Sequence, residues 1–195
     1  MAILFIIHIT LQYNEQQVSL HCSAIAIMKY ILETGRLRLR EFIIRDTAFI
    51  IELLNSPAWL QFIGDRNVKT EEQAKRYLED GPLKSYIENG YGIWLVELKN
   101  DNKAIGMCGI INRDFLDNPD IGFAFLPGYH GNGYATEIAG ATMDYAKQQL
   151  HISTIEAITA TDNVKSIRLL EKTGLKFTRK ICYPGTNKEL LLYSN

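Results

Sequence analysis

A strand, a glycine-rich turn and a helix follow one another over residues 120–149, and this corner limits the possible folds more than any other stretch of the chain. The turn reads Phe125-Leu126-Pro127-Gly128-Tyr129-His130-Gly131-Asn132-Gly133-Tyr134-Ala135-Thr136. Gly131 and Gly133 let the backbone come close to a ligand. The free N–H groups of the first helical turn then point outward with partial positive charge. That geometry suits a pyrophosphate. A strand–turn–helix corner can also need two glycines for steric reasons alone, so both readings stand on the turn by itself.

Other phosphate-binding patterns fit less well. A Walker loop needs a Lys and a Ser or Thr after its last glycine, and no Lys follows Gly133. A dinucleotide fold wants a third glycine where Thr136 stands, and wants the motif early in the chain. Glu156 lies roughly where a ribose-binding acid would fall, which keeps that pattern in view without favouring it.

The flanking sequence supplies the rest of the sheet. Leu37 and Leu39 alternate with Arg36, Arg38 and Arg40, the period of a half-buried strand. Asp46 is placed to cap a helix over 47–55 that Pro57 ends, and 58–69 read as an irregular, partly apolar connection. Thr70 opens a helix to Glu88 that Gly81-Pro82 breaks or kinks. Gly92–Leu98 and Ala104–Ile111 form a hairpin about Asn100-Asp101-Asn102. A strand over Asp120–Leu126, a helix over 134–149 and a strand over Thr154–Ala160 make a βαβ-like unit, with a ligand expected at the carboxyl ends of its strands. A helix over 163–173 closes at Gly174, and strands at Phe177–Cys182 and Glu189–Tyr193 follow. The order predicts a mixed α/β or α+β layer around one sheet.

Composition removes several function classes. A chain of 195 residues suits one domain, and its 21 basic and 22 acidic residues leave a net charge of −1. No basic surplus points to nucleic acid or an anionic membrane, and no apolar stretch is long enough to span a bilayer. Cys22, Cys108 and Cys182 are odd in number and widely spaced, so they predict buried free thiols in a reducing, cytoplasmic compartment rather than a disulfide framework. His8, His21, His130 and His151 lack metal-ligand spacing, and no metal is expected. Residues 1–27 stand apart. Met28 precedes the domain-like opening at 33–40, so the domain is expected over 28–195. Residues 1–27 are then either an extension of the reading frame or an arm that packs on the domain or on a second subunit.

The turn resembles a known family. His130-Gly131-Asn132-Gly133-Tyr134-Ala135 is similar to the R/Q-x-x-G-x-G/A signature of the GNAT N-acetyltransferases, with His130 in the Arg/Gln place. A second block, Asn163-x-x-Ser166 through Leu170-Glu171-Lys172-x-Gly174-Leu175, resembles that family's N-x-x-[SA] and E-K-x-G-F stretch. Residues 32–40 and Gly133–Glu137 resemble the Rim-type branch, which acetylates protein N-termini. The resemblance spans 32–193 with its parts in order. It implies a mostly antiparallel sheet of about seven strands, splayed between the fourth and fifth, with about four helices.

The resemblance also implies roles. Acetyl-CoA is the donor. The amides of 131–135 would hold its pyrophosphate, with His130, Asn132 and Thr136 beside them. The backbone of Phe125 and Leu126 would pair with its pantetheine arm, and Asn163, Ser166 and Lys172 would meet it from the next helix. Read without the family, Asn163 is a helix N-cap, Ser166 makes a local helix bond and Lys172 is a cation near a helix C-terminus. Related enzymes carry a Tyr as proton donor where this chain has Leu170. Ser166 is therefore the nominated acid, with Tyr134 second, and Asp120 is the nominated base. Trp59 and Phe62 would wall the acceptor side, or belong to the core; Trp94 reads as core. Glu137 fits the branch pattern and equally a first-turn acid.

Three functions follow. The first is acetyl transfer to a primary amine, either a protein N-terminus or a small amine, in a ternary complex, with a homodimer compatible. The second is a degenerate CoA-binding regulator, which Leu170 would suit. The third is a module for another nucleotide.

Overall fold

The computed structural model describes residues 29–195, so the expectations for 1–27 lie outside the described residues. Among these residues eight strands form one sheet in the order β1-β2-β3-β4-β5-β6-β8-β7. They are β1 (Tyr30–Glu33), β2 (Leu37–Arg40), β3 (Ile93–Leu98), β4 (Ala104–Ile111), β5 (Asp120–Phe125), β6 (Glu156–Ala160), β7 (Lys176–Cys182) and β8 (Glu189–Ser194). All neighbours are antiparallel except β5 and β6. The expected mixed, mostly antiparallel sheet is present, with β1 as an additional strand that the short segment Tyr30–Glu33 did not announce.

Among the described residues six α-helices flank the sheet, two more than the resemblance implied: α1 (Thr47–Leu54), α2 (Pro57–Phe62), α3 (Glu71–Leu78), α4 (Lys84–Asn89), α5 (Tyr134–Gln148) and α6 (Val164–Lys172). Pro57 does more than stop α1. It occupies the first turn of α2, where its missing N–H costs nothing and its φ is already helical, so Trp59 and Phe62 stand on a helix and not in an irregular connection. Pro82 does not end the helix that Thr70 opens. Lacking an N–H, it widens the ladder into a π turn over Glu79–Leu83, and the chain resumes as α4. Asp46 precedes α1 but does not cap it. Its carboxylate accepts from the Ile43 N–H at 2.8 Å and from Arg40 at 2.8 Å.

Strand alternation sorts the core into two layers. Trp94 and Val96 of β3 join Leu37, Leu39, Ile121, Ile138, Ala139 and Met143 beneath α5, so Trp94 is core as expected. Leu95 faces the other way, onto Phe42, Ile50, Leu53, Leu78 and Met107 beneath α1–α3. A bulge in β4 leaves Ile105 extra, because Val96 faces Gly106 while Glu97 faces Ala104. It resets the alternation, which is why Ile105 and Cys108 share the α5 side. Cys108 is buried, but Cys182 is exposed: it lies on β7, an edge strand that pairs only with β8 among the described residues.

The βαβ unit positions the site. β5 runs into the glycine turn, α5 crosses the sheet, and β6 returns parallel to β5. One pair, Asp120 and Glu156, is in register between the two strands. Beyond it they part, and residues of both line a cleft.

Candidate active site

The cleft has a volume of about 2010 Å³. That exceeds the ~300–1,000 Å³ of a usual small-ligand pocket and leaves room for two molecules meeting inside it. Its floor is the gap between β5 and β6. The Leu126 N–H donates to the Ile105 carbonyl at 2.9 Å, so the even-numbered residues of β5 bond toward β4. Antiparallel alternation then turns the backbone of Phe123 and Phe125 toward the gap. Leu126 is committed to the sheet side. Its carbonyl accepts from the Tyr129 N–H at 3.0 Å, its side chain is buried, and it does not line the cleft.

The turn at the carboxyl end of β5 is built by conformation. Gly131 and Gly133 have φ of +83° and +78°, a region that other L-residues enter at a cost. Gly133 is the N-cap of α5. The Glu137 N–H is the one that closes onto the Gly133 carbonyl, at 3.0 Å. The amides of Tyr134, Ala135 and Thr136 therefore precede the helical ladder, and all three residues line the cleft with Gly131 and Gly133. A pyrophosphate fits this cradle, since the donors are backbone groups and the helix dipole favours the charge. His130 turns its Nε2 to the Phe125 carbonyl at 2.9 Å, which makes that nitrogen the donor. Asn132 faces away from the cleft: it bonds the His130 carbonyl through Nδ2 at 3.4 Å, and its own carbonyl accepts from Arg36.

From the other side α6 brings Asn163, Ser166 and Lys172 to the cleft wall. Asn163 is an N-cap. Its Oδ1 accepts from the Ser166 N–H at 3.1 Å, which holds Ser166 in the first turn with its side chain half-buried at the wall. Leu170 is buried in the core. Tyr134 is half-buried with the Arg36 guanidinium 4.5 Å over its ring, a packed position. Glu137 stands behind the turn. Burial pushes its carboxyl up, but bonds from the Thr34 hydroxyl and from Arg36 outweigh this and hold it below the ordinary range.

At the closed end Asp120 is 1% exposed and still lines the cleft. Burial pushes its carboxyl up to about 6. Arg113 opposes the shift through a 2.8 Å bond, and the neighbouring Glu156 adds to it. A carboxylate with such a value is ionised at neutral pH and still basic enough to accept a proton.

The half of the cleft away from the glycine turn is walled by α2. Trp59 is buried within the second core layer and Phe62 is partly exposed; both line the cleft. The β7–β8 turn reaches over this half. Lys188 donates to the Phe62 carbonyl at 2.7 Å, and Tyr183 packs edge-on to Phe115 with centroids 5.4 Å apart. Nothing in the sequence assigned Arg36, Arg113, Tyr183 or Lys188 a place at the site. Arg113, seven residues before Asp120, was the one with a local signal. Lys188 and Phe62 lie 126 residues apart, and no periodicity connects them.

Comparison with known proteins bears on this geometry. The acetyltransferase (GNAT) domain family matches residues 36–176. The chain is 31% identical over 167 residues to the uncharacterized protein YkkB of Bacillus subtilis, covering 83% of this chain and 93% of that one. It is 28% identical over 160 residues to the uncharacterized N-acetyltransferase YnaD of the same organism, covering 80% and 90%. Its fold is similar to the crystal structure of ribosomal-protein-S5-alanine acetyltransferase from Vibrio fischeri, with a TM-score of 0.71, 20% identity, and 84% and 94% of the two chains covered. Among the described residues no helix is long and apolar enough to cross a membrane.

Proposed function

This chain belongs to the GNAT acetyltransferase family, and from that premise we propose that it moves an acetyl group from acetyl-CoA directly to a primary amine within a ternary complex. One observation carries the reading: the gap between β5 and β6 leads straight into the free amides of Tyr134, Ala135 and Thr136. An extended donor with a pyrophosphate at one end matches a groove of exposed strand backbone ending in an anion cradle. Bound there, the donor supplies an activated thioester.

The chain's own groups divide the remaining work. The amides of 133–136 and the glycines at 131 and 133 hold phosphate oxygens, with His130 at the rim and Lys172 on the facing helix. Phe123 and Phe125 offer backbone groups to the pantetheine arm, the role the resemblance implies for 125–126. Asp120 takes a proton from the acceptor ammonium, because an amine attacks only when neutral. The Ser166 hydroxyl gives a proton to the departing sulfur and recovers one from the acceptor nitrogen as the amide forms, so the serine ends unchanged, and Asn163 keeps its helix turn in place. Phe62 and Trp59 bound the acceptor's side.

The domain so assigned runs over 28–195, with 1–27 as an extension. The acceptor is a protein N-terminus or a small amine. The Rim-type opening at 32–40 favours the first. The regulator reading rests on Leu170; Asp120 and Ser166 lining one cleft favour catalysis over it.

Calorimetric titration with acetyl-CoA tests the proposal. One-to-one binding that ATP does not displace, followed by turnover on a member of an amine and peptide panel, is the expected result. Binding without turnover on any amine would favour the regulator. No binding would remove the donor assignment altogether.

A further inference from the structure

Arg36 belongs to the turn between β1 and β2, 96 residues before the glycine turn, yet its guanidinium closes that turn from behind. Nη1 donates to the Asn132 carbonyl at 2.9 Å. Nε donates to Glu137 Oε2 at 2.7 Å, and Nη2 meets the same oxygen at 2.7 Å. The Arg36 backbone N–H donates to Glu137 Oε1 at 3.0 Å, and the guanidinium covers the Tyr134 ring. The Thr34 hydroxyl adds a 2.6 Å bond to Glu137 Oε1. Two positions of the turn, 132 and 134, thus contact one side chain, on either side of Gly133. A Cβ on Gly133 would stand 3.4 Å from Nη2.

The consequence is orientational. In a trans peptide the C=O and the following N–H point in opposite directions. With the Asn132 carbonyl held against Arg36, the Gly133 N–H points the other way, and Gly133 lines the cleft. Left to rotate, that carbonyl could face the anion site, where its negative end repels phosphate. Glu137 largely cancels the Arg36 charge, so the pair contributes geometry more than attraction.

We infer that Arg36, held by Glu137, is a positioning residue for pyrophosphate binding: it fixes the 132–133 peptide so that the turn presents donors alone to the cleft. The inference rests on the acetyl-CoA reading above and adds residues that the glycine motif does not contain. It also departs from simple electrostatics. Removing an acid beside an anion site should tighten binding, but removing Glu137 should loosen it, because Arg36 then loses its anchor.

The test compares wild type, Arg36→Met, Arg36→Lys and Glu137→Leu. Acetyl-CoA affinity is read by calorimetry, and turnover with acetyl-CoA and with S-acetylpantetheine, which lacks the pyrophosphate. Arg36→Met should weaken acetyl-CoA about tenfold or more, the range of a lost charge-assisted hydrogen bond. At saturation kcat should change by less than about twofold. Glu137→Leu should weaken binding too, and Arg36→Lys should recover only part, since an ammonium cannot hold Asn132 and Glu137 in one fork. With S-acetylpantetheine the deficit in kcat/KM should fall below about twofold. Unchanged affinity in Arg36→Met, tighter binding in Glu137→Leu, or equal losses with both donors would overturn the inference while leaving the donor reading intact. Failure of the wild-type protein to bind acetyl-CoA would overturn the donor reading itself, and the inference with it.

Discussion

Asp120 and Glu156 face each other across the registered pair that joins β5 to β6, so two buried carboxylates sit at the point where the parallel strands begin to part. The Asn118 N–H and side-chain amide serve Glu156, at 3.4 and 3.3 Å, while Arg113 serves Asp120. The strands that open the cleft therefore also set the protonation of its closed end.

The first prediction concerns pH. Asp120 has a folded value of about 6 against an ordinary aspartate value of 3.8. Between those values the fold keeps a proton that the unfolded chain releases, so stability is lost as pH rises through this window. The loss attributable to this group is on the order of 3 kcal/mol, complete somewhat above pH 6. Asp120→Asn should lack that component. Urea unfolding of both proteins at pH 4 and pH 7 isolates it, because the other titrating groups are shared. As the base, Asp120 should also produce a rise of kcat/KM through about pH 6, and Asp120→Asn should cost about 10²–10³ in rate at pH 7. A rise that persists in the variant would assign the base elsewhere.

The first turn of α6 gives a second prediction. Ser166→Ala should lower kcat about 10²-fold, the lower end for a positioned acid because a thiolate already leaves well, with acetyl-CoA affinity nearly kept. Affinity falling with an unaltered kcat would make Ser166 a binding contact only. Asn163→Ala should cost about 1 kcal/mol of stability by denaturant titration, whereas Asn163→Asp retains a capping oxygen and should cost little.

Gly133 supplies a third. At φ +78° an alanine carries about 1–2 kcal/mol of left-handed strain, so Gly133→Ala should lower the urea midpoint measurably. A Cβ at 133 points back toward Arg36, 3.4 Å from its Nη2, so Gly133→Glu adds the same strain plus a carboxylate that competes for Arg36, and should weaken acetyl-CoA binding by calorimetry. Wild-type affinity in that variant would place the donor elsewhere.

The fourth lies away from the cleft. Arg40 is 4% exposed and joins β2, β3 and the entry to α1 through Glu97 at 2.6 Å and Asp46 at 2.8 Å. Arg40→Met leaves two carboxylates without their cation. It should cost about 3–5 kcal/mol in a chemical-denaturation measurement at pH 7. A loss below about 1 kcal/mol would show that water reaches the pair freely.

Sequence alone determined the features that depend on near neighbours in the chain. The alternation at Leu37–Arg40, the hairpin over 92–111 and the strand–turn–helix corner were legible because side-chain period and glycine conformation are local properties. The Asn163 cap was legible for the same reason. Where a local rule had two outcomes, it misled. Pro57 was read only as a stop and proved also to be a helix start; Pro82 was read as a break or a kink, and the chain took neither a stop nor a loop but a widened turn. Asp46 had the right position to cap, yet Arg40, six residues away, took its carboxylate.

The rest required the assembled sheet. Asp120 was a strand-end acid nominated as base only through the resemblance, until β5 met β6 and buried it against Glu156 and Arg113. Arg36 belonged to an alternating strand pattern until the β1–β2 turn came behind the glycine loop. Lys188 reached Phe62 only because β8 lies next to β6. Each of these contacts depends on which strands become neighbours, a result of burying all the apolar faces at once. Residues far apart in sequence carry no local mark of that outcome.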